Sequence, residues 1–329
     1  MSFLMLAAAC GPPRIPAARV AEAPPVPGTE GPVAPSFTAP DVRLTAVWGS
    51  GPTDVWVSGL EGTLLHFDGT AWEQVDLGTT SWIESLGGTG PDDVCAGVRD
   101  RKLFCRDGGS WRRVELPVDD YFQVSDIEAG NGGELFIASW TGPLLERRDG
   151  VWEVVERAPL DLGDIAAAGD GDLFAIGGLD GGVLRFHDDL WIAQGAPIEG
   201  DPHDVWAESG DDAYVVGGAA DILHFDGEEW RRVTPPIATL QDRIGWVDLL
   251  GVWGSAPDDV FVVGMNGLVL HMNGDGWSLQ ESPTRETLEA VWGSSADDVY
   301  AVGWGGTILH YDGSRWTHAA ASRSSGRTP

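Results

Sequence analysis

Residues 44–75 read LTAVWGSGPTDVWVSGLEGTLLHFDGTAWEQV, and the same order of turns and aromatic residues returns later in the chain. Residues 249–280 read LLGVWGSAPDDVFVVGMNGLVLHMNGDGWSLQ, and residues 288–319 read LEAVWGSSADDVYAVGWGGTILHYDGSRWTHA. Weaker copies fill the space between them. Each copy carries a tryptophan near its end: Trp72, Trp111, Trp152, Trp191, Trp230, Trp277 and Trp316. A self-similar period of about 40 residues indicates a repeat architecture.

Each copy contains four short apolar or alternating runs separated by turn residues. In the first copy the runs are Leu44–Trp48, Asp54–Ser58, Thr63–Phe67 and Trp72–Val75. Asp-Gly and Gly-rich pairs between such runs are hairpin signals. Seven copies of four antiparallel strands predict an all-β fold, a seven-bladed β-propeller of four-stranded antiparallel blades, over residues 43–320.

The ends of the propeller pose a separate question, because each copy begins with the innermost strand (A) and ends with the outermost (D). The segment before the first copy, SFTAPDVR, is interrupted by Pro40 and makes a poor strand except at an edge. We therefore expect blades 7 and 1 to meet through side-chain packing alone. In this topology the A–B and C–D turns share one face, and the B–C loops and D–A connections share the other.

The chain has 329 residues and a formal net charge of -31 at pH 7, which makes a nucleic-acid partner unexpected. Much of the acidity falls in the A–B and C–D turns, for example at Asp92, Asp93, Asp258, Asp259 and Asp312. Aspartate is a common turn residue, so solubility and turn formation explain this face. Calcium or a basic partner is the functional alternative, although no Asp-x-Asp-x-Asp-Gly loop is present. We expect no cofactor.

The C–D hairpin, HFDGTAW or HYDGSRW, resembles the Asp-box of sialidase-like (BNR) propellers, with the Asp-to-Trp spacing one residue shorter. The longer motif VWGSxxDDVxxVG resembles the repeats of bacterial surface lipoproteins and of photosystem-assembly-factor-like propellers. This resemblance implies the propeller fold and carries no single activity.

The chain begins MSFLMLAAACGPP, where three alanines before Cys10 resemble a bacterial lipobox. The resemblance implies a lipoprotein-type signal segment at residues 1–10, cleaved so that Cys10 carries acyl chains. No Lys or Arg precedes the short apolar run, and the alternative is a disordered apolar terminus with a chance cysteine. Residues 11–42 are rich in Pro and Ala and predict a disordered linker, and residues 321–329 predict a disordered tail. We expect a lipid-anchored protein of the outer membrane, the cell surface or the periplasm.

Catalytic motifs are sparse. Four of the seven histidines occupy one repeat position, His66, His224, His271 and His310, where rotation between blades keeps them from converging on one metal. Repetition at one place favours a structural role, with each ring packed and bonded. The chain has no Gly-x-Ser-x-Gly, His-Glu-x-x-His or P-loop motif. Enzymatic activity stays open, with a non-catalytic role favoured over a sialidase-like or lyase-type enzyme with an unrecognised site.

Variation concentrates on the face formed by the B–C loops and D–A connections, where a rigid scaffold usually presents binding residues. Aromatic residues beside arginine are typical interface anchors. The candidates are Trp82, Arg99, Arg101, Tyr121, Trp140, Arg243, Trp246, Met265 and Trp304. They predict a binding or scaffolding module, monomeric, that takes a protein or glycan partner of the cell envelope near the central channel. Alternatively, Trp82, Trp140 and Trp304 seal the space between blades, or the protein is a structural envelope component.

Two cysteines, Cys95 and Cys105, lie ten positions apart in DDVCAGVRDRKLFCRDGG. Aligned on the repeat, they replace an aromatic–histidine pair such as Trp56 and His66, on opposed strands of the B–C hairpin. Directly opposed strand residues lie within disulfide range. We therefore predict a Cys95–Cys105 disulfide inside blade 2, in an exported chain that meets an oxidising compartment.

Overall fold

We describe a computed structural model of the chain over residues 38–118, 121–156, 158–178, 181–235, 247–319 and 321–322. The predicted signal segment, the lipidation site Cys10, nearly all of the linker, and the binding candidates Arg243 and Trp246 lie outside these residues. The domain limits drawn from the sequence stay predictions.

The described residues form seven four-stranded antiparallel sheets in chain order, which confirms the predicted propeller. Blades 1 to 3 comprise β2 (Leu44–Gly51), β3 (Asp54–Gly59), β4 (Leu64–Phe67), β5 (Trp72–Gln74), β6 (Ile83–Gly90), β7 (Asp93–Val98), β8 (Lys102–Asp107), β9 (Ser110–Val114), β10 (Val124–Ala129), β11 (Leu135–Ser139), β12 (Leu145–Arg148) and β13 (Val151–Val154). Blades 4 and 5 comprise β14 (Leu162–Ala167), β15 (Leu173–Gly177), β16 (Gly182–His187), β17 (Leu190–Ala193), β18 (Pro202–Ser209), β19 (Asp212–Gly217), β20 (Ile222–Phe225) and β21 (Trp230–Arg232). Blades 6 and 7 comprise β22 (Leu249–Ala256), β23 (Asp259–Gly264), β24 (Val269–Asn273), β25 (Trp277–Leu279), β26 (Leu288–Ser295), β27 (Asp298–Gly303), β28 (Ile308–Tyr311) and β29 (Trp316–His318).

Helical structure among the described residues is limited to 3-10 turns that follow strand B in blades 1, 5, 6 and 7. These are η1 (Leu60–Gly62), η2 (Gly218–Ala220), η3 (Met265–Gly267) and η4 (Trp304–Gly306). None of the described helices is long and apolar enough to cross a membrane.

The ends of the propeller are joined by more than side-chain packing, so that expectation was incomplete. A short strand before blade 1, β1 (Thr38–Ala39), pairs in parallel with β30 (Ala321–Ser322), which follows blade 7. The edge position that Pro40 permits is therefore used, one residue before the proline. In addition, Gly306 N–H donates to Val42 O at 2.7 Å, which ties η4 to the segment entering blade 1.

The repeated tryptophans of strand D pack one blade against the next. Trp72 of blade 1 lies edge-on to Tyr300 of blade 7, with ring centroids 6.2 Å apart. The same T-shaped contact joins Trp111 to Trp56, Trp230 to Phe174, Trp277 to Tyr214 and Trp316 to Phe261. Edge-to-face pairs of this kind add about 0.5–1.5 kcal/mol beyond the apolar area they bury. The tryptophan recurs because, in these five blades, it covers the strand-B aromatic of the preceding blade.

Candidate functional site

The seven innermost strands surround a central channel with a cavity of about 610 Å³. A strand-A edge faces the channel without a strand partner, so its backbone N–H and C=O groups need other partners. Side chains of the preceding blade provide several of them. Thr45 Oγ1 donates to Ile83 O at 2.7 Å, and Ser125 Oγ donates to Leu162 O at 2.8 Å. His203 Nδ1 lies 2.9 Å from Leu249 O, so this nitrogen carries the proton.

Four partly buried tryptophans line one arc of the channel, and we call Trp206, Trp253, Trp292 and Trp48 of blades 5, 6, 7 and 1 the tryptophan arc. Each indole lies over a glycine of the next blade. The pairs are Trp206 with Gly254, Trp253 with Gly293, Trp292 with Gly49, and Trp48 with Gly88. Blades 2, 3 and 4 have Gly87, Glu128 and Ala166 at the tryptophan position. In each case the next blade has alanine instead of glycine at the contact position, namely Ala129, Ala167 and Ala207.

Four acidic residues line another arc, in blades 3 to 5, and we call Asp126, Glu128, Asp164 and Asp204 the carboxyl arc. The three aspartates occupy one repeat position, where the other blades have Ala46, Ser85, Gly251 and Ala290. Asp164 Oδ2 accepts from Val205 N–H at 2.8 Å, and Asp204 Oδ2 accepts from Val252 N–H at 2.6 Å. These carboxyl groups thereby satisfy the exposed edges of the next blades.

The same carboxyl groups also bond to one another, because Asp164 forms side-chain hydrogen bonds with both Asp126 and Asp204. A carboxyl–carboxyl hydrogen bond requires a proton on one partner. Burial raises the pKa of Asp126 to about 6 and that of Glu128 to about 8. Burial, followed by the charges of Asp126 and Asp204, raises the pKa of Asp164 well above its usual value. The carboxyl arc therefore retains protons at a pH where exposed carboxyl groups are ionised.

The mouth of the channel on the B–C and D–A face joins aromatic rings to arginines, and two of the binding candidates, Trp82 and Arg99, lie together there. The Arg99 guanidinium lies 4.2 Å from the Trp82 ring centre, and its Nε lies 3.5 Å from Glu84 Oε1. A second group between blades 7 and 1 combines the same kinds of side chain. Arg43 lies 5.9 Å from the Trp304 ring centre and 2.9 Å from Glu289, which also accepts from Trp304 Nε1.

The other mouth candidates differ in position. Trp140 is 52 % exposed, lines the channel, and lies over Gly163 of blade 4, so it combines the sealing and the exposed role. Tyr121 is 72 % exposed and pairs with Arg101, whose guanidinium lies 5.5 Å from the ring centre. Met265 begins η3 and is half-buried.

Two residues near the start of strand A are not presented at the mouth. His203 belongs to strand β18, which begins one residue earlier at Pro202, and it lines the channel wall. Phe122 is only 4 % exposed and packs in the core between blades 2 and 3.

The repeated histidines are packed and bonded, as expected. His66 stacks on Trp56 with ring centroids 4.0 Å apart, and its Nε2 lies 2.7 Å from Asp54 Oδ1. Equivalent bonds join His224 to Asp212, His271 to Asp259, and His310 to Asp298. In blade 1 the carboxylate also accepts from Ser50 Oγ at 2.6 Å. Because the carboxylate lies between hydroxyl and imidazole, the ring cannot act as general base on the serine, unlike in a catalytic triad.

The predicted disulfide is present between Cys95 and Cys105, whose Cα atoms lie 4.1 Å apart on directly opposed positions of β7 and β8. Both side chains are buried. Without a histidine here, the carboxylate of Asp93 binds Arg147 of blade 3 instead, at 2.9 Å for one of its two contacts. The disulfide belongs to the framework of blade 2.

The acidic turns of the opposite face bond to their own backbone. Asp68 Oδ1 accepts from Thr70 N–H, Thr70 Oγ1 and Ala71 N–H, at 2.6 to 2.9 Å. The Thr70 hydroxyl, followed by these backbone groups, lowers the pKa of Asp68 to about 2. Asp312 repeats the arrangement with Ser314. In the described part of the chain no three His, Cys, Asp or Glu side chains are placed to hold a metal ion, and calcium binding stays a hypothesis.

Comparison with solved structures places the chain among seven-bladed propellers at low sequence identity. YCF48 bound to a D1 peptide is 17 % identical with a TM-score of 0.68, over 85 % of this chain and 93 % of that one. A catalytically inactive virginiamycin B lyase from Staphylococcus aureus with quinupristin is 11 % identical with a TM-score of 0.67, over 82 % and 94 %. The WD40 propeller domain of Doa1 is 12 % identical with a TM-score of 0.65, over 85 % and 95 %.

The photosystem-assembly-factor-like resemblance is thus confirmed at the level of the fold, and these identities show the fold alone. No protein-family model matches the chain, and no curated protein sequence matches it.

Sequence reasoning missed the residues that make the channel distinctive. Arg43 and Glu289 meet although they lie 246 positions apart, which no local pattern reveals. The carboxyl arc and the tryptophan arc could have been found by comparing the strand-A positions across copies, because three aspartates share one repeat position and four tryptophans share another.

Proposed function

We propose that this protein is a non-catalytic binding module, which holds a protein partner at the channel mouth on the B–C and D–A face. The observation that carries the proposal is the clustering of Trp82, Trp140 and Trp304 with Arg43 and Arg99 around the opening of a cavity of about 610 Å³. Exposed tryptophan and arginine are the side chains that most often dominate binding energy. A cavity behind the surface gives a partner's side chain a place to be buried.

A peptide segment of a protein fits this mouth better than a glycan does. Arg99 and Arg43 are already paired with Glu84 and Glu289, so the mouth presents fixed rings, guanidinium groups and carboxylates together. Such a mixed surface complements a polypeptide that carries both charges and apolar side chains. YCF48, a structural neighbour, has been solved with a peptide bound. That complex supports the choice of partner class for this chain.

Selection of peptides from a displayed random library tests the proposal. Peptides that bind the wild-type protein are retitrated against the Trp82→Ala/Trp140→Ala double variant. We expect their affinity to fall at least about tenfold, since each lost aromatic anchor costs more than about 1 kcal/mol. A matched control, Val151→Ala/Leu190→Ala, removes exposed apolar side chains from the outermost strands of blades 3 and 4. Equal affinity for the mouth variant, or equal loss in both variants, would contradict the proposal.

We further propose that the chain is tethered outside the cytoplasm through acylated Cys10, as a monomer. The lipobox-like AAAC sequence supports the anchor, and the disulfide fits an oxidising compartment. Mass spectrometry of the native N-terminus tests it, with a diacylated or triacylated Cys10 expected. A free Met1 or an unmodified Cys10 would contradict the anchor and leave the binding mouth unaffected.

A further inference from the structure

We propose that the channel takes up a cationic side chain of the partner segment, an alkylammonium or guanidinium group, between the tryptophan arc and the carboxyl arc. This inference rests on the proposed function and names the chemistry of its ligand. The two arcs lie deeper in the channel than the mouth residues, since they follow them along the innermost strands.

The dimensions and depth of the channel suit such a group. Ligand cavities range over about 300–1,000 Å³, and this one has about 610 Å³. Strand A begins at the mouth, so Glu84 and Glu289 come first, the aspartates of the carboxyl arc one position later, and the indoles two positions further. A long side chain entering from the mouth therefore passes carboxyl groups before its end reaches the aromatic rings.

The tryptophan arc recognises a cation through the faces of its rings. Four indoles from consecutive blades line the same wall, and each is only partly buried. Indole is the strongest of the aromatic side chains in attracting a cation, with about 0.5–1 kcal/mol per exposed contact and about 2 kcal/mol or more when water is excluded. The glycine beneath each ring fixes its position, so the wall is organised before a ligand arrives.

The carboxyl arc supplies the counter-charge. Burial raises the pKa values of Asp126, Asp164 and Asp204, and a cation entering the channel favours their ionised forms. Uptake of a cation at neutral pH therefore releases protons, and affinity increases with pH. The other charged or titratable groups along this wall are Arg43, Glu84, Glu128, His203 and Glu289. Acidic side chains outnumber basic ones along the channel. The one arginine among the lining residues, Arg43, is already paired with Glu289.

Calorimetric titration with two matched peptides tests the inference. The probes are acetyl-Gly-Arg-Gly-amide and its citrulline analogue, which has nearly the same shape without the charge. At pH 8 we expect the arginine peptide to bind at least about tenfold more tightly. The preference should shrink at pH 5.5, where the carboxyl arc is protonated. In two buffers of different ionisation enthalpy, binding at pH 7 should release protons.

Variants locate the effect. Asp164→Asn should reduce the affinity for the arginine peptide about tenfold at pH 8, whereas Glu153→Gln removes one exposed charge from the outer strand β13 and should leave it unchanged. Equal binding of the two peptides, no binding of either, or an equal loss in both variants would overturn the inference. Should Asp164→Asn fail to fold, the comparison of the peptides on the wild type decides alone. A negative result leaves the proposed function standing if library-selected peptides still need Trp82 and Trp140.

Discussion

At the scale of single residues, the inner ring is built from complementary pairs that cross from one blade to the next. A tryptophan at one strand-A position occurs with glycine at the following position of the next blade, and its absence occurs with alanine. A Cβ added to Gly254 would lie 2.6 Å from Trp206 Cη2, closer than atoms pack. The glycine is needed here for space. Each blade is thus matched to the next one at these two positions, so swapping the order of blades would place a tryptophan against an alanine.

Gly254→Ala tests this matching. We expect it to lower the free energy of unfolding by about 1–3 kcal/mol, because the core around Trp206 has no room for the methyl group. In the Trp206→Ala background the same change should cost much less, as in the Ala166–Ala207 pair of blades 4 and 5. Chemical denaturation measures all four proteins of the cycle. Gly51→Ala is the control, because no atom lies within 4 Å of its added Cβ. If the losses of unfolding free energy for Gly254→Ala and Trp206→Ala simply add in the double variant, the matching of Trp206 to Gly254 is contradicted.

The disulfide is a second contact on the residue scale. Cys95→Ala/Cys105→Ala should lower the free energy of unfolding by about 2–3 kcal/mol, as expected for closing a short loop. Thermal unfolding of the wild type in strong reductant should approach that of the variant. Alkylation of the non-reduced, denatured protein should modify neither cysteine, and two modified thiols would show that the bond does not form.

At the scale of elements, the innermost strands depend on side chains to satisfy their free edges. The carboxyl groups of Asp164 and Asp204 do this for the strand-A edges of blades 5 and 6, while keeping protons that an exposed acid would lose. Glu128 shows the effect most clearly, since burial raises its pKa to about 8. The folded protein therefore binds more protons than the unfolded chain between about pH 4 and pH 8, where the unfolded carboxyl group is ionised. In that pH window the contribution of the Glu128 carboxyl group to the free energy of unfolding falls as pH rises.

Glu128→Gln should reduce this pH dependence. We expect the wild type to lose on the order of 3 kcal/mol from this group between pH 5 and pH 8, and the variant to lose less. Urea denaturation at both pH values measures the difference. The matched variant Glu153→Gln, at an exposed position on the outermost strand of the same blade, three strands away, should keep the wild-type slope. A slope unchanged by Glu128→Gln would mean that this carboxyl group is ionised in the folded protein.

The sequence predicted the elements well because the repeat states them seven times. These signals are local: they include hairpin pairs such as Asp68–Gly69, the alternation within strands and the spacing of the tryptophans. A local pattern can be recognised in a single sequence. The cysteine pair followed from the same alignment, since Cys95 and Cys105 occupy positions that face each other in every blade. The contacts of Arg43 with Glu289 and of Asp164 with Asp204 arise only when the strands are arranged in a ring. They depend on blade order and channel radius, which no window of the sequence contains.

At the scale of the whole molecule, the propeller is regular outside and asymmetric inside. The strand-D tryptophans recur around the ring and pack the blades together. The repeated Asp–His bonds join strand B to strand C within their own blades. Inside, the tryptophan arc occupies blades 5, 6, 7 and 1, and the carboxyl arc blades 3 to 5. The mouth groups at Trp82 and Trp304 belong to blades 2 and 7. The two ends of the channel therefore differ, and the proposed binding face is the one at which strand A begins.

Hydroxyl-radical footprinting of the protein with a bound, library-selected peptide tests that orientation most directly. Mass spectrometry compares the oxidation of tryptophan and tyrosine side chains with and without the peptide. We predict strong protection of Trp82, Trp140 and Trp304, whose rings border the mouth. Turn peptides of the opposite face, around Asp68 and Asp312, should be oxidised equally in both states. Protection confined to the A–B and C–D turns, with the three tryptophans as reactive as before, would contradict binding at this mouth.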